Sequence, residues 1–164
     1  GAVGVALNGV PLFNPVGRMG EDTTLSPPAL DSCGGGTDHL GLYRYLKDPS
    51  CTYSQDPSAH SPIVGFLIDG VPLFGPKGVL GVPPTDLDEC GGHRETDYRG
   101  HPFYHYHVRE AFPYLPQCLR ACVSANTAAS LNPDVALLLP PEPCAPARDQ
   151  YSYSDVDALL TATA

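Results

Sequence analysis

Three histidines near the middle of the chain have the residue type and spacing of a metal site. Two of them alternate with tyrosines in Tyr104-His105-Tyr106-His107, and the third follows the pair Gly91-Gly92. Successive side chains of an extended strand point to opposite faces, so both histidines of the tetrapeptide share one face and both tyrosines the other. Neutral imidazoles that converge in this way bind zinc or copper. The predicted ligands are His93, His105 and His107, with His101 or His60 as a fourth.

The alternative role for these histidines is structural. On a half-buried face, His105 and His107 would hydrogen-bond to the backbone or to acidic neighbours such as Asp88 and Glu89. The dipeptide His60-Ser61 lacks the strand-turn-helix setting that exposes a nucleophilic serine. We therefore predict no catalytic residues and a protein that is not an enzyme.

The elements that must position these side chains occur twice. Asn-Gly in one copy and Asp-Gly in the other stand between short apolar runs, which is a strong hairpin signal. The matching segments are 4–17 with 65–78, 30–36 with 87–93, and 43–46 with 104–107. We predict an internal duplication with a pseudo-two-fold axis and one shared core, made of repeats at about 4–51 and 65–118.

The first repeat keeps the tyrosines but lacks the imidazoles. Gly36 stands where the second repeat has His93, and Arg44 and Leu46 stand where it has His105 and His107. A role that needs two histidine clusters is therefore disfavoured. Because the tyrosines persist in both repeats, we expect them to serve packing.

These motifs resemble the YHYH domain family, which is named after the tetrapeptide. The match includes Cys90-Gly91-Gly92-His93 and, upstream, His60-Ser61-Pro62-Ile63-Val64-Gly65-Phe66 and Asp69-Gly70-Val71-Pro72-Leu73-Phe74-Gly75-Pro76. It covers roughly residues 4–120. The resemblance implies a secreted or surface-associated module and does not by itself imply an activity.

Composition indicates an all-β protein and excludes several partners. The 164 residues include 17 glycines and 19 prolines, which favours many turns and short strands over long helices. We expect a pseudo-two-fold β-sandwich or barrel-like domain. The formal net charge of −9 provides few donors for phosphate, which argues against binding to nucleic acid or to an acidic membrane surface. No apolar run reaches membrane-spanning length.

The six cysteines favour disulfides over a zinc site, because none forms a C-x-x-C pair. Six cysteines allow 15 pairings, and the repeat favours one in which each half closes its own loop. The predicted pairs are Cys33 with Cys51, Cys90 with Cys118, and Cys122 with Cys144. Disulfides imply an oxidising, extracellular location. Proline-rich stretches are also candidates for O-linked sugars.

We predict two regions, a YHYH-like domain at 1–122 and a C-terminal extension at 123–164 that is extended and docks on the body or on a neighbouring subunit. The first functional hypothesis is an extracellular structural protein that assembles with copies of itself, as a filament or surface layer, through a terminal strand. The apolar strand at 2–7 is one candidate for that exchange. The alternatives are a copper- or zinc-binding module and a carbohydrate-binding surface built on exposed tyrosines.

Overall fold

A computed structural model of the chain describes residues 1–97 and 99–123, and the fold in these residues is all-β. Eight short strands form one mixed sheet. The strands are β1 Ala2–Ala6, β2 Pro11–Phe13, β3 Gly35–Thr37, β4 Tyr43–Tyr45, β5 Ile63–Leu67, β6 Pro72–Phe74, β7 Gly92–Thr96 and β8 Pro102–His107. Single 3-10 turns occur at Thr23–Leu25, Ser50–Thr52 and Val79–Gly81. None of the helices in the described residues has the length and hydropathy to cross a bilayer.

The sheet consists of two halves with the same strand arrangement. Its order is β3-β4-β2-β1-β5-β6-β8-β7. In each half an antiparallel hairpin is followed by a parallel pair and a second antiparallel pair. The halves join through antiparallel β1 and β5, where Val5 lies opposite Phe66. These two residues hold equivalent positions in the sequence repeat, so a local two-fold axis passes between them. Duplication as the origin of the halves remains a prediction.

The two hairpin turns have the geometry that their sequences predict. Gly9 and Gly70 both adopt positive φ, at 84° and 81°, in the region that glycine enters most easily. The same backbone bond closes each turn: Ala6 N–H donates to the Val10 carbonyl at 2.9 Å, and Leu67 N–H donates to the Val71 carbonyl at 3.0 Å. Asn-Gly and Asp-Gly therefore fix the register of the strands that carry the core.

One hydrophobic core on one face of the sheet contains residues of both halves. Leu12 and Leu73 lie in it, are fully buried, and are separated by 61 positions (73 − 12). Tyr45 and Tyr106 have the same separation (106 − 45) and lie in the same core. A smaller cluster on the other face contains Ile63, Phe74 and Phe103. The predicted shared core is present, and only the second half adds a second buried cluster in the described residues.

Two of the three predicted disulfides are present. Cys33 pairs with Cys51, and Cys90 pairs with Cys118, so each half closes its own loop. These bridges fit an oxidising environment. The third predicted pair, Cys122 with Cys144, involves a residue outside the described part of the chain.

The pairing of β1 with β5 joins the two halves into one sheet. All eight described strands join edge to edge in a single sheet, because β1 and β5 pair across the junction of the repeats instead of facing each other in two layers. Strand β1 is consequently central and paired on both sides within its own chain. It offers no open edge for exchange with a neighbour. The predicted docking of the C-terminal extension concerns residues outside the described range, apart from residue 123.

Candidate metal centre

Strands β7 and β8 bring three of the predicted ligands together. His93 lies directly opposite His105 in this antiparallel pair. His105 and His107 share one face of β8, while Tyr104 and Tyr106 point into the large core on the other face. The alternation predicted from the sequence therefore holds. All three imidazoles are buried, with relative exposures of 7% for His93 and 0% for the other two.

The Nε2 atoms of three imidazoles converge, and the Nε2 atom of a fourth lies beside them. Nε2 of His105 lies 3.2 Å from that of His93, 2.9 Å from that of His107 and 3.3 Å from that of His60. The Nε2 atoms of His93 and His107 are 3.2 Å apart. His60 comes from the loop that precedes β5, so the fourth ring reaches the cluster from outside the β7–β8 pair. Of the two residues considered as a fourth ligand, the structure brings His60 to the cluster.

Hydrogen bonds on the far side of three of the rings fix their tautomers. In each ring Nδ1–H donates to an oxygen that accepts, which leaves the Nε2 lone pair directed at the cluster. The three bonds run from His93 to the Asp86 carboxylate (2.9 Å), from His107 to the Gly75 carbonyl (2.6 Å) and from His60 to the Ser61 carbonyl (2.7 Å). Such oxygen partners orient histidine ligands in metal sites and make them better donors.

Hydrogen bonding among the rings leaves part of the cluster unsatisfied. Nδ1 of His105 is buried and has no hydrogen-bond partner among the described residues. If Nε2 of His105 carried a hydrogen, that hydrogen could be donated to only one of its three neighbours. The lone pairs of His93 and His107 would still face each other at 3.2 Å. A bound cation removes this repulsion, whereas a network of neutral rings does not.

The electrostatic setting keeps the imidazoles in the form that binds metals. Burial lowers the pKa of His105 well below its usual value, and the neighbouring histidines lower it further. Burial also lowers the pKa of His107 to about 3. Both rings are therefore neutral at physiological pH, as metal ligation requires. The hydrogen bond from His93 lowers the pKa of Asp86, so that carboxyl is ionised.

Glu95 is a candidate ligand that our reading of the sequence missed. Its Oε2 lies 3.3 Å from Nε2 of His60 and 3.6 Å from Nε2 of His105. The His60 ring beside it lowers the pKa of Glu95, so an anionic oxygen lies next to the nitrogens. The signal was available, because Glu95 follows His93 by two positions on one strand and so shares its face.

His101 and the tyrosines lie elsewhere. The His101 side chain is 63% exposed and has Asp97 as its nearest acid, with Nδ1 at 3.7 Å from the carboxylate. Every tyrosine in the described residues is buried or half-buried. This part of the chain therefore offers no exposed tyrosine platform of the kind that the carbohydrate hypothesis requires. We compared the chain with protein-family models, curated proteins and solved structures, and none of them matches it. The resemblance to the YHYH family remains a prediction.

Proposed function

We propose that this protein is an extracellular metal-binding domain that holds one zinc or copper(II) ion. The ligands are His93, His105 and His107, and the side chains of His60 and Glu95 lie beside them. The observation that carries the proposal is the convergence of the His93, His105 and His107 Nε2 atoms at mutual distances of 2.9–3.2 Å, with that of His60 3.3 Å from His105. Three of these four rings donate their Nδ1 hydrogens to oxygen.

The spacing of the nitrogens suits an ion of this class. Zinc–nitrogen bonds of about 2.0–2.1 Å in a tetrahedron place neighbouring nitrogens about 3.3 Å apart. Right angles at a similar bond length, as in tetragonal copper(II), place them about 2.8 Å apart. The observed separations of 2.9–3.3 Å fall between these values. A nitrogen-rich set disfavours calcium and magnesium, which prefer oxygen ligands.

The structural role of the histidines is the weaker explanation. The first half of the sheet adopts the same strand arrangement with Gly36, Arg44 and Leu46 at the equivalent positions. The fold therefore does not need imidazoles there. Burying rings whose lone pairs face each other carries an electrostatic cost, and metal binding offsets that cost.

The extracellular setting is supported by the two disulfides, one in each half. Structural disulfides persist in oxidising compartments and are rare in the cytosol. Copper(II) is the oxidised form of copper, and zinc has no redox chemistry, so both are compatible with that setting.

Metal analysis of purified protein tests the proposal. The full chain, prepared with its disulfides formed and without chelator, is dialysed against zinc or copper(II), and its metal content is measured by mass spectrometry. We expect one ion per chain in the wild type and a loss of at least 100-fold in affinity in His105→Ala. His101→Ala is the matched control and should bind as the wild type does. Less than stoichiometric metal in the wild type, or equal binding by His105→Ala, would rule the proposal out.

A further inference from the structure

The histidine cluster is closed on one side and open on the other. His93, His105 and His107 are buried, whereas the side chains of His60 and Glu95 keep 23% and 20% of their surface exposed. A cleft of about 260 Å³ lies at the open side, and both His93 and Glu95 line it. A small molecule in this cleft would meet the ion beside the Glu95 carboxylate.

The walls of the cleft are apolar and acidic. Its apolar part consists of Val79, Val82, Pro83 and Pro84, and its acidic part consists of Asp86 and Glu95. Among the described residues, no lysine or arginine lines it. The two carboxylates offset the charge of a bound divalent ion, and the lining contains no cationic side chain that would attract an anion, so the cleft favours neutral or cationic ligands. Its apolar wall favours a ligand with a hydrocarbon part.

A fixed turn holds the apolar wall in place. Gly78 N–H donates to the Val82 carbonyl at 2.8 Å, which closes the loop over this wall. Leu80 adopts φ 64°, a left-handed conformation that is uncommon for leucine. Gly81 packs so closely that a Cβ there would collide with the Pro57 carbonyl. The wall is therefore preformed, as small-molecule sites usually are.

We propose that this cleft binds a small neutral or cationic organic molecule, which coordinates the ion through one nitrogen or oxygen atom beside Glu95. This inference rests on the proposed metal site. The volume of about 260 Å³ lies just below the range of drug-sized pockets, which limits the ligand to a small ring or a short chain. Glu95 accepts a hydrogen bond from an N–H or O–H of the coordinated group, and Val79 and Val82 contact its apolar part.

Spectroscopic titration of the copper(II)-loaded full chain tests this proposal. The probe of the proposed class is 4-methylimidazole, which is neutral or cationic near neutral pH, and the anionic probe is acetate. We expect a saturable change in the visible and electron paramagnetic resonance spectra with 4-methylimidazole, and at least tenfold weaker binding of acetate. Metal content is measured again after each titration, because an unchanged content separates coordination of the probe from removal of the ion.

Two variants test whether 4-methylimidazole binds in the cleft. Val82→Trp fills the space beside Glu95 and should abolish the response to 4-methylimidazole while one ion per chain remains bound. Leu40→Trp, at a position that is 81% exposed and outside the cleft lining, should respond as the wild type does. The proposal would be overturned if 4-methylimidazole left the spectrum of the bound ion unchanged or removed the ion. It would also be overturned if acetate bound equally well, or if Val82→Trp responded as the wild type does. Absence of metal from the wild type would instead contradict the metal site itself.

Discussion

The two halves of the sheet share the same tyrosine hydrogen bonds on one face but carry different side chains on the other. In each half a turn residue and an acid in the Cys-Gly-Gly loop bond to the hydroxyls of a Tyr-x-Tyr strand. The four bonds are Asn8 to Tyr45 (2.9 Å), Tyr106 to Asp69 (2.8 Å), Tyr43 to Asp31 (2.6 Å) and Tyr104 to Asp88 (3.0 Å). The equivalent residues stand 61 positions apart at the turns and 57 apart in the loops (69 − 8 and 88 − 31).

On the opposite face the halves diverge. Arg44 lies where the second half has His105, and it pairs with Asp38 at 4.0 Å. Asp38 stands at the position of Glu95, whose carboxylate lies 3.6 Å from His105. The first half thus has an ion pair and a cleft of about 100 Å³ where the second half has the histidine cluster and its larger cleft. The first half therefore forms the same strand arrangement without imidazoles, which supports the proposal that those of the second half bind a metal.

Core leucines test whether the halves contribute equally to stability, and here we expect the largest effect. Leu12 and Leu73 are both fully buried in the shared core. Leu12→Ala and Leu73→Ala should each lower the free energy of unfolding by about 2–5 kcal/mol, because each leaves a cavity. Chemical denaturation measures this, with the exposed Leu40→Ala as a control that changes stability by less than about 0.5 kcal/mol. A large loss for one leucine and none for the other would contradict a shared core.

Removing a tyrosine hydroxyl should lower the free energy of unfolding more in the second half than in the first. Tyr106→Phe leaves the buried Asp69 carboxylate without one donor, at a cost of about 1–3 kcal/mol. Tyr45→Phe leaves only the exposed Asn8 amide, which water can satisfy, so its cost should be smaller.

The pH dependence of the Tyr106→Phe effect has a defined sign. Burial raises the pKa of Asp69, and the Tyr106 hydrogen bond opposes this by favouring the charged form. Loss of the bond therefore costs most when Asp69 is ionised, and the destabilisation should shrink as pH falls and the carboxyl takes up a proton. Denaturation of wild type and variant from pH 7 toward pH 4 measures this. A penalty that grows toward acid would contradict the assigned partner.

The smallest predicted effect is on metal affinity and concerns the residue that orients one of the ligands. Asp86 orients His93 through Nδ1, and the first half has Ala29 at the equivalent position. Asp86→Asn keeps an accepting oxygen but removes the charge, so we expect metal affinity to fall about tenfold, at the lower end of such effects. Competition titration with a chelator of known affinity measures it. Glu89→Gln, an exposed acid that pairs with Arg120, is the control, and an equal loss there would show a general charge effect.

Much of the candidate site was predictable from local rules. The period of two along a strand placed His105 and His107 on one face, and the same rule would have placed Glu95 beside His93. The repeat selected two disulfides from many pairings, because each half closes its own loop. His60 was only one of two suggestions, since it lies in a loop whose path depends on packing against Phe74 and the other rings.

The sequence alone determined the all-β class, the two hairpin turns, the separation of histidines from tyrosines and two of the disulfides. Each of these follows from short-range geometry, namely turn chemistry, strand alternation and loop closure. Tertiary structure decided that β1 pairs with β5 at the centre of one sheet, that His60 and not His101 completes the cluster, and that a cleft opens beside Glu95. The first two of these features depend on which surfaces meet across 40 or more residues, and hydrophobic burial fixes such contacts without any signature in neighbouring residues. The cleft depends on how the turn at 78–82 packs against Pro57.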